Sequence, residues 1–168
     1  MGLGIGGHQS PVSEKDEWLT PPFIIESLGG AESFALDPCA PIDRPWPMAR
    51  QHYTVKDDGL SKPWEGRVWC NPPYGSPTIV GPWLRRMAAH NHGTLLVFAR
   101  TESNLFFEMV WNKATAVLFI RGRLFFHHSN GRRAASNSGA PSVLAAYGDL
   151  DAKILSVCDI AGRFVPLR

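Results

Sequence analysis

Apolar positions along the chain fall into short runs broken by proline, glycine and charge, and the runs alternate between two patterns. "SFALD" (33–37), "GRVWC" (66–70), "GTLLVFA" (93–99) and "TAVLFIRG" (115–122) are continuous apolar stretches of strand length, as expected for strands buried on both faces. Between them, "FIIESLGG" (23–30), "TIVGPWLRRMAAH" (78–90) and "ESNLFFEMVWN" (102–112) read as helices. Gly29-Gly30 stops the first; the second is helical from about Thr78, with Pro82 expected to mark where its regular part begins. Strands alternating with helices predict an α/β fold with a mostly parallel sheet.

"GRLFFHH" (122–128) and "APSVLAAYG" (140–148) flank a polar loop, 129–139, and predict an antiparallel hairpin at the end of that sheet. The tail, "AKILSVCDIAGRFVPLR", reads as a final helix with a short strand packed on the sheet. Residues 1–16 lack apolar periodicity and read as a flexible N-terminal arm, leaving 17–168 as a single domain. From Cys39 to Glu65 four prolines and little regular pattern predict a long irregular loop, a feature that often carries function.

A formal charge of +2, from 17 Lys+Arg and 15 Asp+Glu, does not by itself select a partner. Its distribution says more: the segment from Arg121 to Arg133 holds four arginines, two histidines and no acid, which predicts a basic face. Cys39, Cys70 and Cys158 are odd in number and widely spaced, so neither a disulfide framework nor a zinc site is expected. His90, His92, His127 and His128 lack companion ligands at metal spacing, and no metal is expected. No secretory leader and no run of about 18 apolar residues occurs, so the expected setting is cytoplasmic, away from membranes.

The strand "GRVWC" runs directly into Asn71-Pro72-Pro73-Tyr74. Proline cannot extend a sheet ladder, so the strand must end at the asparagine. Pro73 holds Pro72 extended and fixes the direction of its carbonyl, Asn71 adds a neutral side-chain acceptor, and Tyr74 adds a flat face. Two acceptors and an aromatic face suit a planar group bearing an exocyclic amine, such as adenine. Accepting both amine hydrogens would stabilise the positive charge that grows on the nitrogen as it attacks an electrophile. A base taken from a duplex would have to be flipped out to reach Tyr74.

"NPPY" resembles the catalytic motif of S-adenosylmethionine-dependent amino methyltransferases. With "DEWLTPP", "LDPCAP", "DDGLSKPWEGRVWCNPPYG" and "FIRGRLFF", the chain from residue 16 to about 147 resembles the phage-type DNA adenine-N6 methyltransferase family. The resemblance implies a Rossmann-like methyltransferase fold, S-adenosyl-L-methionine as cofactor, adenine-containing DNA as partner, and a phage or prophage setting. It assigns Asn71, Pro72, Pro73 and Tyr74 to catalysis, with Asn71 also beside the cofactor. Thr20, Pro21 and Pro22 match a segment touching the cofactor's methionine part; Asp37, Pro38 and Ala40 match the end of the first cofactor strand. Asp58 matches the acid that receives the cofactor's adenine amine, with Asp57 the alternative and Leu60 a packing partner. Phe126 is the candidate second aromatic against the flipped base, and Arg121, Arg123, Arg132 and Arg133 are candidate phosphate contacts.

Relative to larger relatives, "DPCAPIDRPWPMARQHYT" has no glycine and is too short for a full helix and strand, so the fold is expected to be abbreviated after its first strand. A separate target-recognition domain is not expected. Two other readings stay open: methylation of RNA adenine or protein glutamine, and a binding module of the same fold that has lost catalysis.

Overall fold

The computed structural model describes residues 17–168; the expected arm, 1–16, lies outside the described residues. Seven strands form one sheet in the order β3-β2-β4-β5-β8-β6-β9: β2 (Leu36–Asp37), β3 (Gln51–His52), β4 (Val68–Cys70), β5 (Gly93–Phe98), β6 (Ala116–Ile120), β8 (Ser142–Tyr147) and β9 (Gly162–Pro166). A second, two-stranded sheet pairs β1 (Trp18–Leu19) antiparallel with β7 (His127–His128). β3, β2, β4 and β5 are mutually parallel, and β8 runs antiparallel to both β5 and β6. β6 therefore points the same way as β5, and only β8 and β9 oppose the others.

Side chains of the central strands alternate between two cores, as the period of two in a strand requires. Trp69, Leu96, Leu118 and Leu144 face one core with Ile24, Leu28 and Leu155, which come from α1 (Pro22–Ser27) and its end and from α4 (Asp149–Val157). Val68, Leu95, Val117 and Val143 face the other with Leu84, Met87, Phe106 and Val110. These belong to α2 (Pro77–His90) and to α3 (Asn104–Phe106), which continues as a π-helical turn over Phe107–Trp111. The result is a sheet between two helical layers, with both faces covered.

Three expectations are corrected. "GRLFFHH" and "APSVLAAYG" do not form a hairpin: β8 is inserted between β5 and β6, whereas His127–His128 pairs with Trp18–Leu19. All six residues of β8 are buried, so it takes a place with a neighbour on each side, which a strand carrying Arg123 and two histidines could not share. Helix α2 is regular from Pro77, five residues ahead of Pro82; Pro77 occupies the first turn, where a missing N–H leaves nothing unpaired. The loop after β2 contains a short parallel strand, β3, whose neighbour Tyr53 donates its N–H to the Asp37 carbonyl at 2.9 Å. The tail forms α4 and β9, a helix and a short strand as read from its sequence.

No helix among the described residues is long and apolar enough to cross a membrane.

Candidate active site

The ladder between β4 and β5 ends at Cys70, paired with Leu95, because neither proline that follows Asn71 has an N–H to donate. Asn71 is thus delivered, half-buried, to the carboxyl end of a central strand, where ligands of open α/β sheets bind. Its side-chain amide is gripped at both ends. Nδ2 donates to Oγ1 of Thr20 at 3.2 Å, and Oδ1 accepts from the Tyr74 hydroxyl at 2.9 Å. Burial, with the Cys39 and Cys70 thiols adding to it, pushes the Tyr74 phenol above its ordinary value and keeps it a donor at neutral pH. The carbonyl of the buried Pro72 accepts from no N–H among the described residues.

Phe98, at the carboxyl end of β5, stacks on the Tyr74 ring with centroids 4.2 Å apart and planes 22° from parallel. Phe126 meets the same ring edge-on at 5.8 Å, and is itself 5% exposed, so it supports Tyr74 from within the core. Sequence reasoning passed over Phe98. Its position at the end of the strand beside β4 was the available signal.

In front of Asn71 lies a cleft of about 430 Å³. Pro38, Cys39, Ala40 and Pro41, after β2, form one wall; Thr54, Val55, Asp58 and Gly59 form another. Asn71 to Tyr74 close it, and Trp18 and Trp83 also line it. Gly59 lets the walls meet, since a Cβ there would lie 1.9 Å from the Pro38 carbonyl oxygen. The two adjacent acids separate clearly. Asp58 lines the cleft, in a left-handed backbone conformation (φ 52°), whereas Asp57 turns its carboxylate onto the Thr54 N–H and hydroxyl at 2.8 and 2.9 Å.

Asp37 stands behind the first wall, 3% exposed, accepting the Cys39 N–H at 3.1 Å. Burial pushes its carboxyl up to about 7, opposed by the Cys39 N–H and the Arg44 guanidinium. The Cys39 thiol lies 3.7 Å from that of Cys70 and donates to the Asn71 carbonyl at 3.3 Å. Burial and the neighbouring Cys70 thiol raise Cys39 well above its ordinary value, so the Cys39 sulfur sits as a packed thiol. Leu60 is half-buried and outside the cleft lining.

A second groove, of about 580 Å³, has in its lining Pro21, Pro22, Phe23, one acid, Glu26, and the cationic side chains of Arg121, Arg123 and Arg133, with His127 beside them. Thr20, next in sequence to its proline wall, accepts from Asn71, so the segment between β1 and α1 connects the groove to a residue of the cleft. Arg133 stacks its guanidinium on Phe125 at 3.9 Å, and Arg123 donates to the Gly139 carbonyl, anchoring the polar loop. Arg132 is exposed but not part of the groove lining. Thus three of the four arginines singled out in the sequence converge, while Pro21 and Pro22 face this groove instead of the cleft. Among the described residues no cluster of three or more metal-ligating side chains occurs.

Two neutral acceptors on a rigid turn, an aromatic face beside them, a small-molecule cleft in front and an arginine-lined groove alongside suit transfer of a group to a planar amine on a polyanion. Among curated proteins and among solved structures nothing matches the chain. The model of the DNA N-6-adenine-methyltransferase (Dam) family, however, matches residues 7–161, nearly the whole chain, and the protein belongs to that family.

Proposed function

We propose that this chain transfers a methyl group from S-adenosylmethionine to N6 of adenine in DNA, with the target base flipped out and held at Asn71 to Tyr74. The observation that carries the reading is that Asn71, whose Oδ1 is held by the Tyr74 hydroxyl, and Pro72, whose carbonyl accepts from no N–H among the described residues, both line the cleft. The strand order, in which β8 is inserted antiparallel between β5 and β6, supports a Rossmann-like methyltransferase fold reduced to one short strand after β2.

The cleft fits the cofactor by size and by chemistry. Its volume falls within the roughly 300–1,000 Å³ typical of small-molecule sites. Asp58 offers an acceptor for an exocyclic amine, Pro38, Ala40 and Val55 offer apolar walls for a flat ring, and Asn71 lies at the reacting end. When bound, S-adenosylmethionine supplies a sulfonium methyl that the N6 lone pair captures while the S–C electron pair stays on sulfur as a neutral thioether.

The protein's own part is placement and charge stabilisation. Asn71 Oδ1 and the Pro72 carbonyl accept the two N6 hydrogens, drawing the nitrogen out of conjugation with the ring and offsetting its growing positive charge. Neither acceptor is basic enough to keep a proton, so the surplus N6 proton passes to water after transfer. Tyr74, braced by Phe98, supplies the face on which the base stacks. Arg121, Arg123 and Arg133 hold the phosphates of the flanking strand in the neighbouring groove.

The test is to incubate the protein with S-adenosylmethionine and unmethylated DNA and quantify N6-methyladenine by mass spectrometry. Product with the natural chain, none with Asn71→Ala, and unchanged cofactor binding by calorimetry is the expected result. Retained product in Asn71→Ala would sink the assignment of the site, and no product from the natural chain on any DNA would sink the reaction.

A further inference from the structure

We infer that Thr20 is a positioning residue for the transfer, acting through Asn71 and not through the cofactor. The inference rests on the methyl-transfer reading given above and deepens it. Although the sequence places Thr20 in a segment expected to touch the cofactor, its side chain is 1% exposed and absent from the cleft lining. Its hydroxyl instead accepts from Nδ2 of Asn71 at 3.2 Å, across 51 residues of sequence.

An asparagine acceptor has a weakness that a rigid carbonyl such as that of Pro72 does not share. Its terminal torsion is broad, and a turn of the amide out of plane removes the oxygen's lone pair from the nitrogen it must receive. Thr20 and Tyr74 hold the two ends of this amide, fixing its plane. Tyr74 cannot do so alone, because its ring also serves the base. Thr20 has no such second duty: β1 pairs with β7 immediately before it, and α1 begins two residues later at Pro22, so its backbone is set from both sides.

The bond does more than aim the amide. Donation from Nδ2 polarises the amide and leaves more negative charge on Oδ1, the effect that strengthens one hydrogen bond when its neighbour forms. That gain is largest when N6 is most positive, in the transition state. It therefore belongs in kcat and not in ground-state affinity.

The experiment compares Thr20→Val, Thr20→Ala and Thr20→Ser in steady-state methylation of adenine-containing DNA, with cofactor affinity by calorimetry and melting temperature measured on the same samples. Removal of the hydroxyl in Thr20→Val and Thr20→Ala is expected to lower kcat about tenfold, with KM for DNA and cofactor Kd within about twofold of the natural chain. Thr20→Ser, which restores the hydroxyl, is expected to return kcat to within about threefold. A merely structural threonine would lower the melting temperature and leave the kcat of the folded fraction alone, and that outcome overturns the inference. So does a loss confined to cofactor Kd, which would return Thr20 to the cofactor. Should the natural chain itself make no N6-methyladenine, the functional reading fails first and this inference falls with it; full kcat in Thr20→Val beside an active natural chain defeats this inference alone.

Discussion

The Tyr74 hydroxyl donates to Asn71 Oδ1 at 2.9 Å, while the Tyr74 ring lies flat against Phe98 at 4.2 Å. One residue therefore touches the acceptor proposed for the target amine with its oxygen and offers a stacking surface with its carbon. The two roles are separable by substitution. Tyr74→Phe keeps the stack, leaves the Asn71 amide held through Nδ2 by Thr20, and frees an Oδ1 lone pair for the incoming amine, so kcat/KM is expected to stay within about threefold of the natural value. Tyr74→Ala removes a stack of the kind worth about 1–3 kcal/mol per base, and kcat/KM is expected to fall roughly tenfold to a hundredfold. Equal losses in the two variants would show that the hydroxyl, and not the ring, is what matters.

Asp37 couples stability to pH. Burial raises its carboxyl to about 7 in the folded protein, from an ordinary value of 3.8. Between those two values the native state holds a proton that the unfolded chain has released. Stability contributed at this position is therefore complete below about pH 4, declines as pH rises towards 7, and changes little above that, by on the order of 4 kcal/mol. Asp37→Asn keeps an acceptor for the Cys39 N–H without the buried charge. Its melting temperature should match the natural chain near pH 4 and exceed it at pH 8; a gap that does not widen with pH would refute the assignment.

How far the sequence disclosed this molecule depends on whether a feature is local. The stop at Asn71 was legible because two prolines forbid a ladder by covalent structure alone, and β4 does end there, at Cys70. Asp58 could be preferred to Asp57 only by resemblance, because the physical choice is made by a left-handed turn at Asp58 and a close approach of Gly59 to Pro38. Strands β1 and β3, two residues each, carry no period to detect; their partners, Leu19 with His127 and Leu36 with Gln51, are distant in sequence. The misplaced hairpin has the same origin, since pairing β8 with β5 and β6 is decided by burial on two edges at once.

At the opposite end of the parallel strands, Arg67 just before β4 pairs with Asp151 of α4 at 2.9 Å, and both are buried. Thr94 donates to the same Asp151 oxygen at 2.7 Å, and Arg67 also reaches the Leu28 carbonyl and Ser33 hydroxyl. Removing one partner leaves a buried charge without compensation, so Asp151→Ala is expected to destabilise by about 3–5 kcal/mol. Because the pair is remote from Asn71, kcat per folded molecule should not change. A variant that melts normally, or one that stays folded but loses turnover, would contradict this separation of stability from catalysis.

The groove arginines should be visible in the salt dependence of DNA binding. Each phosphate neutralised by an arginine releases condensed counterion, so on duplex DNA the slope of log K against log salt shrinks by about 0.9 for every phosphate left without its arginine. Arg121, Arg123 and Arg133 line the groove together, and Arg132, equally exposed, does not. Arg121→Gln and Arg133→Gln are each expected to weaken binding across all sequences and to flatten the slope by about one, whereas Arg132→Gln should leave it nearly unchanged. Arg123→Gln additionally frees the Gly139 carbonyl, so its effect should exceed that of the other two and extend to the order of the loop before Pro141. Fluorescence anisotropy across a salt series measures all four. If Arg132→Gln flattens the slope as much as Arg121→Gln, the phosphates run over the outside of the polar loop and not through the groove beside Pro21 and Pro22.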